Sequence, residues 1–147
     1  MSSIPSLYND VVLDHIKNAR NYRVMEAPDR SAEGVNALCG DTLSVYVRLD
    51  GEIIRDASFQ CSCCGISMAS ASIMTEWLRG RTVAQALETK AAFLAALKDA
   101  NRTAGDAPHP DHAAVLDVVH GAPAREGCAK LAWEAMEQAV SAVIRDR

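Results

Sequence analysis

The sequence predicts an α+β domain in which a small antiparallel sheet of about three strands packs on one side against several helices. Three observations carry that expectation. Leu43–Leu49 alternates like a strand, Asp50-Gly51 is a two-residue hairpin signal, and Glu52–Phe59 returns as a second strand. Ile66–Leu78, closed by Gly80, is a helical run rich in small residues. The stretch from Arg125 to Ile144 repeats apolar side chains at Cys128, Leu131, Ala132, Ala135, Met136, Ala139, Val140 and Val143, a helix with one buried face. At 147 residues the chain is expected to form a single domain, 1–147, large enough for a hydrophobic core.

The remaining elements follow in order. Leu7, Val11, Val12 and Ile16 make a helical stripe over Ser6–Lys17. Asn18–Val35 is polar and lacks clear periodicity, so it reads as a meandering connection, with Asn21–Ala27 the candidate third strand. Thr82–Leu87 and Ala91–Lys98 read as two short helices. Asp99–His112, with Gly105, Pro108 and Pro110, reads as a loop before one or two helical turns over Ala113–Val119.

Composition narrows the function. A net charge of −4 argues against nucleic acid as a main partner, because phosphate binding needs a basic surface. Met1–Asp10 shows no basic stretch followed by an apolar core, and no apolar run is long enough to span a bilayer. A cytoplasmic protein without membrane contact is expected. In a reducing compartment five cysteines point to metal binding or catalysis in preference to a disulfide framework.

Those cysteines are placed for chemistry. Cys39 enters the hairpin in Cys39-Gly40-Asp41, Cys64 leaves it in Cys61-Ser62-Cys63-Cys64-Gly65, and Cys128 opens the last helix. Antiparallel pairing folds the entry and exit of the hairpin together. Cys64 and Cys128 then stand at helix amino ends, where the macrodipole favours a thiolate. Cys39, Asp41, Cys64 and Cys128 together would give three thiolates and one carboxylate, a tetrahedral set acceptable for Zn²⁺. Gly40 would let the backbone fold close between the first two. Four anionic ligands around a dication leave a net negative centre, suited to ligand exchange. The competing readings are a structural all-thiolate zinc using Cys61, Cys64, Cys39 and Cys128, a thioredoxin-like pair, and buried cysteines without a task. His109-Pro110-Asp111-His112 has metal-like spacing but reads more simply as an exposed Pro-rich loop. Arg125, three residues before Cys128, either steadies a thiolate or is a solvated charge.

Read together, Asn36-x-x-Cys39-Gly40-Asp41, Phe59 followed by Cys64, Ile66-Ser67-Met68-Ala69-Ser70-Ala71-Ser72, Thr75-Glu76-Trp77 and Arg125-x-x-Cys128-x-x-Leu131-x-Trp133 resemble the U-type iron–sulfur cluster assembly proteins, the SufU/IscU (NifU N-terminal-like) family. The resemblance runs from Tyr8 and Asp14-His15 to the terminal helix. It is closest to the SufU branch. IscU-type scaffolds carry a Leu-Pro-Pro-Val-Lys stretch and a His just before the third cysteine, where this chain has Ala122-Pro123-Ala124-Arg125-Glu126-Gly127. The long segment between Cys64 and Cys128 also matches SufU.

That resemblance implies a zinc-dependent sulfurtransferase, which accepts persulfide sulfur from a SufS-type cysteine desulfurase and passes it to downstream iron–sulfur assembly proteins. Cys39, Asp41, Cys64 and Cys128 would be the zinc ligands. Cys39 would also be the sulfur acceptor, released when a partner histidine takes its place, and Arg125 would match the family's arginine near the site. The alternative is a scaffold that assembles a [2Fe-2S] or [4Fe-4S] cluster on Cys39, Cys64 and Cys128. One departure stands out: family members usually have glycines where Cys61 and Cys63 stand. Two extra thiols there are expected to be free, to be dispensable for zinc retention, and to compete for metal or receive sulfur.

Overall fold

The computed structural model describes residues 9–36, 40–98, 110–121 and 123–145. Among them are three strands and five helices: α1 (Asp10–Lys17), β1 (Arg30–Asn36), β2 (Asp41–Asp50), β3 (Ile53–Ser62), α2 (Gly65–Leu78), α3 (Val83–Lys98), α4 (Pro110–Gly121) and α5 (Glu126–Arg145), the last preceded by a 3₁₀ turn over Pro123–Arg125. The strands form one antiparallel sheet in the order β1-β2-β3. The expected architecture is therefore present.

The hairpin closes where Asp50 pairs with Ile53, and Gly51 takes a positive φ of 62° in the turn. Leu43, Val45 and Val47 of β2, with Ile54, Ala57 and Phe59 of β3, are buried, while Thr42, Gln60 and Ser62 stay exposed. The inner face of the sheet is covered by α5 over β1 and β2, and by α2 over β3. Helix α2 is buried on nearly every side, and its small residues Ala69, Ser70 and Ala71 let α5 and the sheet approach closely. Ser67 and Ser70 carry hydroxyls into this interior, and each reaches a main-chain carbonyl in the first turn of α5, Cys128 and Ala129 respectively. Buried polar groups of this kind must be paired, and these pairs join α2 to α5.

Four local expectations need correction. The third strand is Arg30–Asn36, and Asn21–Ala27 is not a strand. That stretch begins and ends at residues with positive φ, Asn21 at 60° and Ala27 at 49°, which breaks extended geometry. Its ladder pairing with the sheet is limited to an isolated bridge between Tyr22 and Phe59, where the Arg23 amide donates to the Phe59 carbonyl at 2.9 Å. The two short helices expected over Thr82–Leu87 and Ala91–Lys98 are one helix. Its buried stripe, Val83, Ala86, Thr89, Phe93 and Ala96, continues through the polar middle. A reciprocal cap starts it: the Gln85 amide donates to Thr82 Oγ1, and the Thr82 amide donates to Gln85 Oε1.

Pro110 and His112 do not lie in an exposed loop. Pro110 is the first residue of α4, a position where its missing amide costs nothing. His112 is buried in an aromatic nest, its ring centroid 5.2 Å from that of Trp133 and 5.3 Å from that of Phe93. His109 and the rest of 99–109 lie outside the described residues, as does the part of the first expected helix before Asn9. Cys61 and Cys63, expected as free thiols, form a disulfide. One residue separates them at the end of β3, and their Cα atoms are 5.5 Å apart, within bridging range.

Candidate metal centre

The hairpin and two helix amino ends converge on one cluster. Asp41 is the first residue of β2, Cys64 is the N-cap residue of α2, and Cys128 lies in the first turn of α5. One ligand atom from each of these three lies within 4.8 Å of the others. Three of the four residues expected to meet do so. The fourth, Cys39, lies outside the described residues.

Each member is held by specific bonds. Asp41 is 3% exposed, and its carboxylate is oriented from two directions. The Cys64 amide donates to Oδ1 at 3.1 Å, and the Ser67 hydroxyl donates to Oδ2 at 2.8 Å. A carboxylate at the amino end of α2 also answers the positive end of the helix dipole, where the N-cap residue Cys64 makes no side-chain capping bond. Cys64 Sγ lies 3.6 Å from Ser67 Oγ. Cys128 is fully buried, and the Asn36 side-chain amide donates toward its Sγ at 3.7 Å. Gly127 makes that last contact possible, because a Cβ there would lie 3.1 Å from Asn36 Nδ2.

Ser67 and Asn36 were not singled out as site residues from the sequence. Asn36 opens the Cys39-Gly40-Asp41 motif, and its pairing with Asp41 across β1 and β2 explains why it arrives beside Cys128. Ser67 lies three residues into the run after Cys64, one helical turn away. A buried serine at that spacing is the signal that was present and unused. Arg125 ends the 3₁₀ turn just ahead of α5, partly buried, one helical turn before Cys128.

The donor set fits a soft or borderline dication. Two cysteine sulfurs and a carboxylate gathered at one point are donors that a cation would hold together. Thiolate and carboxylate ligands in fours are the chemistry of Zn²⁺, and thiolates also suit iron–sulfur clusters. Cys61 does not offer a thiolate here, since it is bonded to Cys63. Cys64 and Cys128 take no part in that disulfide. The all-thiolate set that would include Cys61 is therefore not the one assembled.

A three-stranded antiparallel sheet backed by helices, with a cysteine–aspartate group at one end that could hold a metal ion, is the class of domain that the fold and the site define. The chain belongs to the family of the NifU-like N-terminal domain, whose model matches residues 7–146. It is 34% identical over 140 residues to the zinc-dependent sulfurtransferase SufU of Bacillus subtilis (strain 168), covering 95% of this chain and 93% of that one. It is 40% identical over 83 residues to the iron–sulfur cluster assembly scaffold protein IscU of Azotobacter vinelandii, covering 54% of this chain and 65% of that one. Among solved structures it resembles a putative iron–sulfur cluster assembly scaffold protein for the SUF system from Fervidobacterium islandicum AW-1. That likeness has a TM-score of 0.82 and 27% identity, and it covers 95% of this chain and 99% of that one. The expected likeness to SufU and IscU proteins is borne out. Among the described residues no helix is long and apolar enough to cross a membrane.

Proposed function

We propose that this chain, read as one domain over 1–147, is a cytoplasmic zinc-dependent sulfurtransferase of iron–sulfur cluster assembly. Its sulfur donor in this reading is a SufS-type cysteine desulfurase, and its product passes to downstream assembly proteins. The observation that carries the reading is the convergence of Asp41, Cys64 and Cys128 within 4.8 Å, in a chain similar along its length to a zinc-dependent sulfurtransferase. Cys39, Asp41, Cys64 and Cys128 are the residues that would hold Zn²⁺, and the ion when bound keeps its thiol ligands deprotonated and ready to react.

The chain's own groups do the rest. Cys39 is the acceptor: its sulfur attacks the outer sulfur of the desulfurase persulfide, the donor cysteine leaves as a thiol, and Cys39 carries the new persulfide. Ser67 and the Cys64 amide fix the orientation of the Asp41 carboxylate, which would be the hard ligand beside the soft thiolates. The Asn36 amide holds Cys128 by a weak N–H···S bond. Arg125, partly buried one turn from Cys128, supplies a positive charge on the approach to the site.

The test is the turnover of a SufS-type cysteine desulfurase with and without the zinc-loaded chain, with Cys39→Ala as control. Strong stimulation that the variant loses is the expected result. No stimulation by the unaltered chain overturns the reading and puts the scaffold function first. The IscU relative supports that second reading. Iron and sulfide reconstitution would then yield a stable coloured cluster transferable to an apo-protein.

A further inference from the structure

The disulfide between Cys61 and Cys63 spans a single intervening residue. A cross-link stabilises a fold in proportion to the logarithm of the chain length it closes, and this one closes almost none. Two cysteines at this spacing therefore serve chemistry better than stability. Both are partly exposed, as reactive sulfurs must be. Their position is specific. Cys61 faces Leu43 across the β2–β3 ladder and Ser62 faces Thr42, so one further step in register brings Cys63 opposite Asp41. Cys63 also directly precedes Cys64. The pair stands at the edge of the Asp41–Cys64–Cys128 cluster without belonging to it.

We propose that Cys61 and Cys63 are a dithiol that reduces persulfide sulfur arriving at this site and releases it as hydrogen sulfide, the disulfide being the oxidised product. The inference rests on the sulfur-transfer reading above, and it adds the reduction. Persulfide sulfur is two electrons short of the sulfide that an iron–sulfur cluster contains, so some group must supply those electrons.

The chemistry balances in two exchanges. One thiol of the pair attacks the outer sulfur of a persulfide R–S–SH; the R–S bond to that sulfur breaks, R–SH leaves, and the cysteine carries –S–SH. The second thiol attacks the inner sulfur of this new persulfide. The bond to the terminal sulfur breaks, that sulfur leaves with two protons as H₂S, and the Cys61–Cys63 bond forms. In sum, R–S–SH and the dithiol give R–SH, H₂S and the disulfide. The dithiol loses two electrons and the sulfane sulfur gains them. A further turnover needs a dithiol reductant to reopen the pair.

The experiment uses the zinc-loaded chain, reduced with a phosphine that is then removed, and given stoichiometric glutathione persulfide without oxygen. Sulfide is trapped and counted, and the intact mass is taken. About one sulfide per chain, with a mass loss of about 2 Da mapped to Cys61–Cys63, is the expected result. Cys61→Ser and Cys63→Ser should each lose sulfide release and retain a persulfide on the remaining cysteine. Sulfide yields unchanged in these variants, or no sulfide from the unaltered chain, would overturn the proposal. Desulfurase stimulation by the same unaltered preparation separates the two readings. Stimulation without sulfide removes only this inference, and sulfide without stimulation removes only the transfer reading.

Discussion

The hydroxyl of Ser67 donates to Oδ2 of Asp41 at 2.8 Å, and both residues are buried. The same oxygen lies 3.6 Å from Cys64 Sγ and 3.1 Å from the Cys128 carbonyl, so one serine touches all three members of the cluster. Ligands held by such outer contacts keep their orientation before the metal arrives. Ser67→Ala should therefore weaken zinc binding by about tenfold while leaving the fold intact. Competition against a chromophoric chelator measures the first, and thermal unfolding of the metal-loaded protein checks the second. Affinity unchanged in the variant would show that Ser67 only joins α2 to α5.

Gly127 governs the Asn36–Cys128 contact. A methyl group at 127 would sit 3.1 Å from Asn36 Nδ2, a tight contact, so the Asn36 amide must give way slightly and its bond to Cys128 loosens. The far end of that side chain is free to move, and alanine is a better helix former than glycine by about 1 kcal/mol. Gly127→Ala is thus expected to keep or raise the unfolding temperature while loosening the metal at Cys128. The thiolate-to-metal charge-transfer band of the Co²⁺-substituted protein should shift. A protein less stable yet spectrally unchanged would contradict this account.

The site was legible in the sequence where chemistry and turn signals coincided, and illegible where packing reversed the usual pattern. Asp50-Gly51 and the alternation of Leu43, Val45 and Val47 announced the hairpin, and with it the nearness of Asp41 and Cys64. Strand β1 gave no such signal. Its inward positions include Ala32 and Gly34, because α5 lies so close that a Cβ on Gly34 would meet Leu131 Cδ1 at 2.9 Å. Its one large apolar residue, Val35, points outward and is 62% exposed. An alternation that is small-in and apolar-out reads as a polar connection. Pro110 and His112 misled in a similar way: proline looked like a loop, yet it opens α4, and the histidine's surroundings come from Phe93 and Trp133, distant in sequence.

Asp14 gives a pH prediction away from the site. The Arg20 guanidinium donates to its carboxylate at 2.6 Å, and the Asn18 amide adds a second bond, which hold its pKa below the ordinary 3.8. A lowered carboxylate pKa contributes stability above the unfolded value, and that contribution is lost as pH falls through the folded one. The pair is exposed, so the effect on stability is small. Arg20→Ala should return the Asp14 midpoint upward, read by NMR titration below about pH 5. An unmoved midpoint would show that Asn18 alone suffices.

Replacing both Cys61 and Cys63 by glycine is expected to leave zinc retention intact. Neither sulfur is among the convergent ligand atoms, and in the bonded state neither is a thiolate. The main chain is what the site needs from this segment: the Cys64 amide on Asp41 Oδ1, and the turn that puts Cys64 at the start of α2. Glycine preserves that amide and relaxes the turn, at a cost of about 1 kcal/mol per substitution from lost chain stiffness. Zinc content after gel filtration, compared with that of Cys64→Ala, gives the answer. A double variant that loses its metal as Cys64→Ala does would mean that the pair, reduced, belongs to the ligand set after all.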